Sequence, residues 1–186
     1  MLTVRVDAPL PQPREYWDLA PFFQRRHGLD DTAAAAEVVT RLRSAVNRQM
    51  ISEVPLGAFL SGGVDSSAIV SQMAELSPHA VKTCSIAFND PRFDESRFAQ
   101  MVADRYATDH STDRVEPDDF ELIDQLGGLY DEPFADSSSL PTYRVCQLAR
   151  NRVTVALSGD AGDENFGGYR RYKWHTYEER VRGYLP

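Results

Sequence analysis

The hydrophobic and polar positions along the chain predict alternating helices and strands. Apolar residues recur at helical spacing up to Met50, and Asp30 offers a cap before them, so we predict a helix over about 32–50. A short apolar run at 54–60 predicts a strand, and the periodic segment that ends at Leu76 predicts a helix. The same alternation continues with predicted strands at 81–88, 110–115 and 153–157 and predicted helices at 94–107, 119–130 and 142–152.

Strands that alternate with helices form a mostly parallel sheet. We therefore predict an α/β fold, namely a Rossmann-like open parallel sheet with helices on both faces. The ligands of such sheets bind beyond the carboxyl ends of the strands. The loops at 61–67, 89–94 and 158–168 are therefore expected to converge on one site.

The first part of the chain has no sustained hydrophobic period. Residues 1–23 are interrupted by prolines and predict an extended linker. We expect a remnant of an interdomain linker over 1–30 and a partial α/β domain over 31–186.

Composition narrows the class of protein and its compartment. The 186 residues are 42% hydrophobic and 26% charged, which is typical of a globular domain. Cys84 and Cys146 form no CxxC motif, so neither a zinc site nor a disulfide framework is expected, and a reducing cytoplasm is the expected compartment. No apolar run approaches the ~20 residues that span a bilayer, and Met1–Arg5 does not resemble a secretory signal, so we expect a soluble protein without a membrane partner.

The charge balance argues against nucleic acid as a partner. Lys and Arg total 20 against 28 Asp and Glu, a net charge of −8 that would repel a polyanion. The densest basic patch contains Arg170, Arg171 and Lys173. Two roles are open for this patch. It either contacts phosphate or a substrate carboxylate, or it forms a solvated helix face.

A glycine-rich loop follows the strand at 54–60. It consists of Ser61, Gly62, Gly63, Val64, Asp65, Ser66 and Ser67. Paired glycines let the backbone turn sharply and present N–H groups to an anion at a helix N-terminus. The loop has no Lys, so bound phosphates would need a cation, and Asp65 is a hard oxygen ligand that suits Mg²⁺. The alternative is a tight turn that only caps the helix.

Four segments resemble one family in the same order along the chain. Leu60–Ser67 (LSGGVDSS) is similar to the pyrophosphate-binding loop of the ATP pyrophosphatase (PP-loop) superfamily, with its adenine nucleotide alpha hydrolase-like fold. Leu157–Tyr172 (LSGDAGDENFGGYRRY) and Asp131–Tyr143 (DEPFADSSSLPTY) resemble the synthetase domain of glutamine-hydrolysing asparagine synthetases. Tyr16–Leu19 (YWDL) resembles the connector between their two halves.

The resemblance implies a set of site residues. Those placed around ATP are Leu60, Ile86, Ser158 and Gly159, with residues 61–67 on its pyrophosphate. Asp65 and Asp163 match the family's magnesium ligands; the alternative is that Asp163 and Glu164 begin a helix and only complement its dipole. Asp160 stands where many asparagine synthetases have Glu, and it is kept as the candidate general base or intermediate-positioning residue.

The implied reaction is ATP-dependent formation of an amide. The side-chain carboxylate of aspartate is adenylated with release of pyrophosphate, and ammonia then displaces AMP to give asparagine. In the family the ammonia comes from glutamine, hydrolysed by a glutaminase domain whose nucleophile is an N-terminal cysteine. The chain is expected to be a fragment without that domain and without the C-terminal part that supplies a catalytic lysine.

Other functions remain open alongside this one. They are a related ligase with another carboxylate acceptor and a non-catalytic nucleotide-binding protein. A third alternative is an RNA-modifying thiolase, but the net charge of −8 and the placement of Cys84 and Cys146 argue against it. The histidines at 27, 79, 110 and 175 are scattered and are expected at the surface or at caps, and both cysteines are expected in the core. Asp94 and Glu95 are expected either to cap the next helix or to line the mouth of the site.

Overall fold

The computed structural model describes residues 2, 4–23, 28–115, 122–132, 134 and 136–183. The helices are α1 (Ala20–Phe23), α2 (Asp31–Gln49), α3 (Val64–Leu76), α4 (Ser96–Tyr106), α5 (Ile123–Gly127), α6 (Ser139–Arg150), α7 (Gly162–Phe166) and α8 (Arg170–Arg182). The strands are β1 (Leu56–Phe59), β2 (Lys82–Phe88), β3 (Asp109–Val115) and β4 (Val155–Leu157).

These bounds differ from the predicted elements at several places, among them α7, which lies inside the loop predicted at 158–168. The helix predicted at 119–130 is represented by the short α5, and residues 116–121 lie outside the described part of the chain. Gly127 and Gly128 follow each other at its end, and glycine disfavours helix continuation. Within the predicted linker, α1 forms one helical turn in which the Asp18 carboxylate accepts a hydrogen bond from the Ala20 N–H at 2.8 Å.

The four strands are parallel and lie in the order β3, β2, β1, β4. Phe59 of β1 is in register with Cys84 of β2, and Ala58 pairs with Leu157 of β4 on the other side. The connections from β1 through β3 run toward one edge of the sheet, and β4 returns to the opposite side of β1. The strand order therefore reverses between β1 and β4, and such a reversal opens a crevice at the carboxyl ends of the strands.

Helices cover both faces of this sheet, as predicted. On one face α3, α4 and the end of α2 bury Val46, Ala58, Leu60, Val70, Met73, Val81, Ala99 and Ala103. On the other face α6 packs on a smaller cluster built from Cys84, Ala149 and Val153. The central strand β2 is consequently buried along most of its length.

The chain divides into two compact units, Met1–Val39 and Thr40–Pro186. In the first unit the Asp30 carboxylate accepts a hydrogen bond from the Ala33 N–H at 2.8 Å, which is the cap predicted for α2. The second unit contains the sheet. The predicted division at residue 30 stays a prediction. Among the described residues, no helix is long and apolar enough to cross a membrane.

Candidate active site

A cleft of about 1060 Å³ opens at the point where the strand order reverses. Its walls come from the loop after β1, the end of β2 and the loop after β4. The predicted site residues that line it are Leu60, Ser61, Gly63, Val64, Asp65, Ser66, Ile86, Ser158, Gly159, Asp160 and Asp163. The loops at 61–67 and 158–168 therefore converge along much of their length, as expected. The loop at 89–94 contributes Phe93.

Hydrogen bonds within the loop after β1 fix its shape. The Ser66 hydroxyl accepts a hydrogen bond from the Ser61 N–H at 3.2 Å and lies 2.9 Å from the Ser61 hydroxyl oxygen. The Ser61 hydroxyl in turn accepts from the Gly63 N–H at 3.2 Å. Gly63 precedes α3, whose first N–H groups have no acceptor within the helix. The loop is therefore a preformed turn that presents backbone donors to the cleft.

Gly62 and Ser67 support this loop and do not line the cleft. Gly62 has φ of +84°, and a Cβ there would lie 2.5 Å from the Ala99 nitrogen of α4, so only glycine fits without displacement. The Ser67 hydroxyl donates a hydrogen bond to the Gly63 carbonyl at 2.6 Å. These two predicted residues thus hold the turn against α4 and α3.

The loop after β4 packs directly on the start of α3. A Cβ on Gly159 would lie 2.6 Å from the Ser66 nitrogen, so the backbones of the two loops touch there. The Asp65 carboxylate fills the space into which a side chain at Gly162 would project. Asp163 follows Gly162 directly, so the two predicted metal ligands come from adjoining loops.

Asp160 lies at the exposed rim of the cleft. One of its carboxylate oxygens accepts a hydrogen bond from the Ser158 hydroxyl at 2.8 Å. This bond holds the Asp160 carboxylate against Ser158 within the loop after β4. The position suits a group that acts on a substrate entering from solvent.

The charge of the cleft determines what it can hold. Carboxylate side chains from Asp65, Glu95, Asp160, Asp163 and Glu164 line it, and no Lys or Arg is found among the described lining residues. No group of three or more His, Cys, Asp or Glu in the described ranges has the arrangement of a protein-only metal site. Mg²⁺ commonly binds one or two carboxylates together with substrate phosphates and water, and the Asp65 and Asp163 pair fits that mode.

The segment after β2 contributes to the cleft, as was expected of the loop at 89–94. Asp94 is a cap, because its carboxylate accepts hydrogen bonds from the Ser96 N–H at 3.2 Å and the Phe88 N–H at 3.3 Å. The Ser96 bonds lower the pKa of Asp94. Phe93 and Glu95 line the cleft. Asp94 therefore caps the next helix and Glu95 lines the cleft, which are the two alternatives stated for this pair. Phe93 belongs to the loop at 89–94, which was expected to reach the site because it follows the end of a strand.

Tyr169 is a second lining residue that the sequence reading did not single out. Its hydroxyl donates a hydrogen bond to the Glu164 carboxylate at 2.7 Å. This bond lowers the pKa of Glu164 and raises the pKa of Tyr169, because it favours the ionised acid and the neutral phenol. The Arg171 guanidinium lies 4.3 Å from the centre of the Tyr169 ring.

The three residues of the basic patch differ in their contacts. Arg170, Arg171 and Lys173 are all exposed in α8, as a solvated helix face would be. Arg171 alone stacks on an aromatic ring that lines the cleft.

Two expectations about side chains outside the loops are wrong. His110 is neither a surface nor a capping residue, because its half-buried ring bonds to the hydroxyl oxygens of Thr83 at 2.8 Å and Ser85 at 3.2 Å. Burial lowers its pKa. Cys146 is exposed instead of buried, whereas Cys84 is buried as expected and its pKa is raised by burial. His79 and His175 are exposed as expected, and His27 lies outside the described residues.

Comparison with known proteins gives a consistent result. The family model for asparagine synthase matches residues 37–186. A Methanocaldococcus jannaschii protein named as a glutamine-hydrolysing asparagine synthetase is 44% identical over 156 residues, which is 83% of this chain and 30% of that protein. Asparagine synthetase [glutamine-hydrolyzing] 1 of Bacillus subtilis is 38% identical over 138 residues, which is 74% of this chain and 22% of that protein.

The chain therefore spans less than a third of the length of these relatives. Among solved structures, the NMN synthetase of Francisella tularensis is similar with a TM-score of 0.52 and 13% identity, covering 74% of this chain and 59% of that one. At this identity the likeness concerns the fold, and it agrees with the predicted open parallel sheet.

Proposed function

Because the chain belongs to the asparagine synthase family, we propose that its cleft binds ATP with Mg²⁺ and serves an ATP-dependent, amide-forming ligase. The observation that carries this proposal is the contact between the loops after β1 and β4, where the Asp65 carboxylate lies against Gly162. That contact joins the start of α3, with its backbone donors and Asp65, to the loop that carries Asp163. The acidic lining supports a metal-complexed nucleotide, since free ATP would meet unbalanced negative charge.

Each part of the cleft has a proposed role. Leu60 and Ile86 contact the nucleotide on the floor, Ser158 and Gly159 contact it from the loop after β4, and residues 61–67 form the pyrophosphate-binding turn. Asp65 and Asp163 would hold Mg²⁺, which when bound neutralises charge on phosphate oxygens. The N–H groups at the start of α3 stabilise the negative charge that develops on the departing pyrophosphate.

The proposed reaction has two steps. A carboxylate oxygen of the acceptor, proposed as aspartate, attacks the α-phosphorus of ATP, and the bond between that phosphorus and the bridging oxygen of pyrophosphate breaks. Ammonia then attacks the acyl carbon, AMP departs, and a proton is lost as the amide forms. Asp160, at the rim and held by Ser158, is the proposed base or positioning group for the second step.

The remaining parts of the proposal concern context. Glutamine-derived ammonia would come from a glutaminase domain, in the same protein or in a separate chain. We retain 1–30 as a linker and 31–186 as part of the synthetase domain. The cytoplasm is the proposed compartment, nucleic acid and membranes are not proposed as partners, and a related carboxylate is the alternative acceptor.

The first test is a calorimetric titration of the chain with ATP in the presence and absence of Mg²⁺. We expect binding only with the metal, and we expect Mg²⁺ with inorganic pyrophosphate to compete with it. A folded chain that binds neither would contradict the proposed site. Exchange of labelled pyrophosphate into ATP that depends on aspartate would then identify the acceptor, whereas exchange only with another carboxylic acid would replace aspartate.

A further inference from the structure

The turn around Asp163 is held by contacts of its backbone and polar side chains, and not by burial in the hydrophobic core. None of the residues of α7 is buried, so the hydrophobic core does not fix this short helix. Both ends of α7 adopt left-handed backbone conformations, with φ of 70° at Ala161 and 69° at Gly167. Such a segment keeps one geometry only where specific contacts impose it.

One of these contacts lies at the backbone of Asp163. The Gly168 N–H donates a hydrogen bond to the Asp163 carbonyl at 3.0 Å. The Asp163 carboxylate occupies the space that a Cβ on Gly168 would fill, so it lies directly over the backbone of that residue. The Asp163 carboxylate therefore packs against Gly168, the residue that directly precedes Tyr169.

A second contact closes the same turn one residue further along. Tyr169 follows Gly168, and its hydroxyl bonds at 2.7 Å to Glu164, which follows Asp163. The stacked Arg171 guanidinium covers the Tyr169 ring at 4.3 Å. The two ends of the turn are thus tied by a backbone bond and by a side-chain bond.

We propose that Tyr169 is a positioning residue that orients the Asp163 carboxylate for metal binding through its hydrogen bond to Glu164. This inference rests on the proposed function, in which Asp163 holds Mg²⁺. Outer residues that orient a ligand commonly change metal affinity by about 10- to 100-fold when they are lost. Because Asp163 itself remains in Tyr169 variants, excess metal should restore nucleotide binding.

The experiment measures ATP affinity by calorimetry over a series of Mg²⁺ concentrations. Tyr169→Phe and Glu164→Ala each remove the side-chain bond, and we expect both to need about tenfold more Mg²⁺ for half-maximal binding. At saturating Mg²⁺ the affinity of Tyr169→Phe for ATP should return to that of the wild type. Tyr172→Phe is the matched control, since it removes a neighbouring hydroxyl outside the Glu164 bond.

Glu164→Gln separates positioning from direct coordination. Its amide oxygen still accepts the bond from the Tyr169 hydroxyl, so we expect a Mg²⁺ requirement within about twofold of the wild type. A requirement as high as that of Glu164→Ala would show that Glu164 acts by its charge, and an unchanged requirement in Tyr169→Phe would show that the bond is dispensable. Either result overturns the inference. Absence of metal-dependent binding in the wild type would instead overturn the proposed function, and this inference with it.

Discussion

The Asp65 carboxylate lies against the backbone of Gly162, so a residue at the start of α3 reaches the loop after β4. A methyl group at Gly162 would occupy the space of that carboxylate. Gly162→Ala should therefore displace Asp65 and weaken Mg²⁺-dependent ATP binding about tenfold or more, since such overpacking typically costs about 1–3 kcal/mol.

The control for this substitution is Gly127→Ala. Gly127 ends α5, and a Cβ there meets nothing within 4 Å. Calorimetry on both variants should show a loss of affinity in Gly162→Ala alone. Equal affinity in the two variants would argue against the close contact of the loops.

The two proposed metal ligands should be required for ATP binding, and their substitution should leave the fold intact. Asp65→Asn and Asp163→Asn each keep the size of the side chain and remove its charge. We expect each to weaken ATP binding in the presence of Mg²⁺ by about tenfold or more, with an unchanged far-UV circular dichroism spectrum. Asp124→Asn, at an exposed position in α5, serves as the control and should bind like the wild type. Retained binding in both site variants would exclude this pair as the metal ligands.

The two thiols should differ in reactivity because they differ in access to solvent. Desolvation raises the pKa of both thiols, but Cys146 is exposed to a reagent whereas Cys84 is buried. A thiol reagent should modify one cysteine rapidly in the native protein and two in denaturant, and Cys146→Ser should remove the rapid reaction.

Cys84 also lines the cleft, which is where an RNA-modifying thiolase would need a reactive cysteine. We expect Cys84→Ser to change ATP affinity by less than about twofold, because a nearly isosteric hydroxyl replaces a thiol with no proposed role. The same limit applies to Cys146→Ser. A large loss of affinity in either variant would revive the thiolase alternative.

Stability should depend on the protonation of His110. Burial lowers the pKa of this ring below its ordinary value of 6.5, so at lower pH the unfolded chain binds more protons there than the folded chain. The free energy of unfolding should therefore fall as the pH decreases through and below 6.5. Denaturant titrations at several pH values should show this slope, and His110→Gln should flatten it.

His79→Gln is the matched variant for this measurement. His79 is exposed, and replacing it should leave the slope unchanged. An identical slope in the His110→Gln protein would assign the pH dependence to other groups.

The alternation of elements was predictable because hydrophobic period is a local property of the sequence. The turn at 61–67 was predictable for the same reason, as its glycines and serines are contiguous. The contacts of His110 were not, because its hydroxyl partners Thr83 and Ser85 lie on the neighbouring strand, 27 and 25 positions away in the sequence. The exposure of Cys146 depends on how far α6 rotates about its axis, which residue type alone does not determine.

The order of the strands in the sheet could not be predicted either, because it also depends on tertiary structure. The sequence predicts parallel strands, but the placement of β4 beside β1 follows from the path of the connection through α6. The bond between Tyr169 and Glu164 depends on a left-handed residue at Gly167 that brings the chain back on itself. The adjacent glycines at 167 and 168 indicate a turn, but they do not indicate which side chain the turn brings opposite Glu164.

The end of β2 lines the cleft, and this central strand is packed against helices on both faces of the sheet. The loop after β4 at the rim is less buried than this strand, whose side chains are fixed by packing. Amide hydrogens in β2 should consequently be among the slowest to exchange with solvent. The proposed nucleotide site and the slowly exchanging interior therefore share this strand, so a substitution that loosens the packing of β2 is expected to lower nucleotide affinity as well as stability.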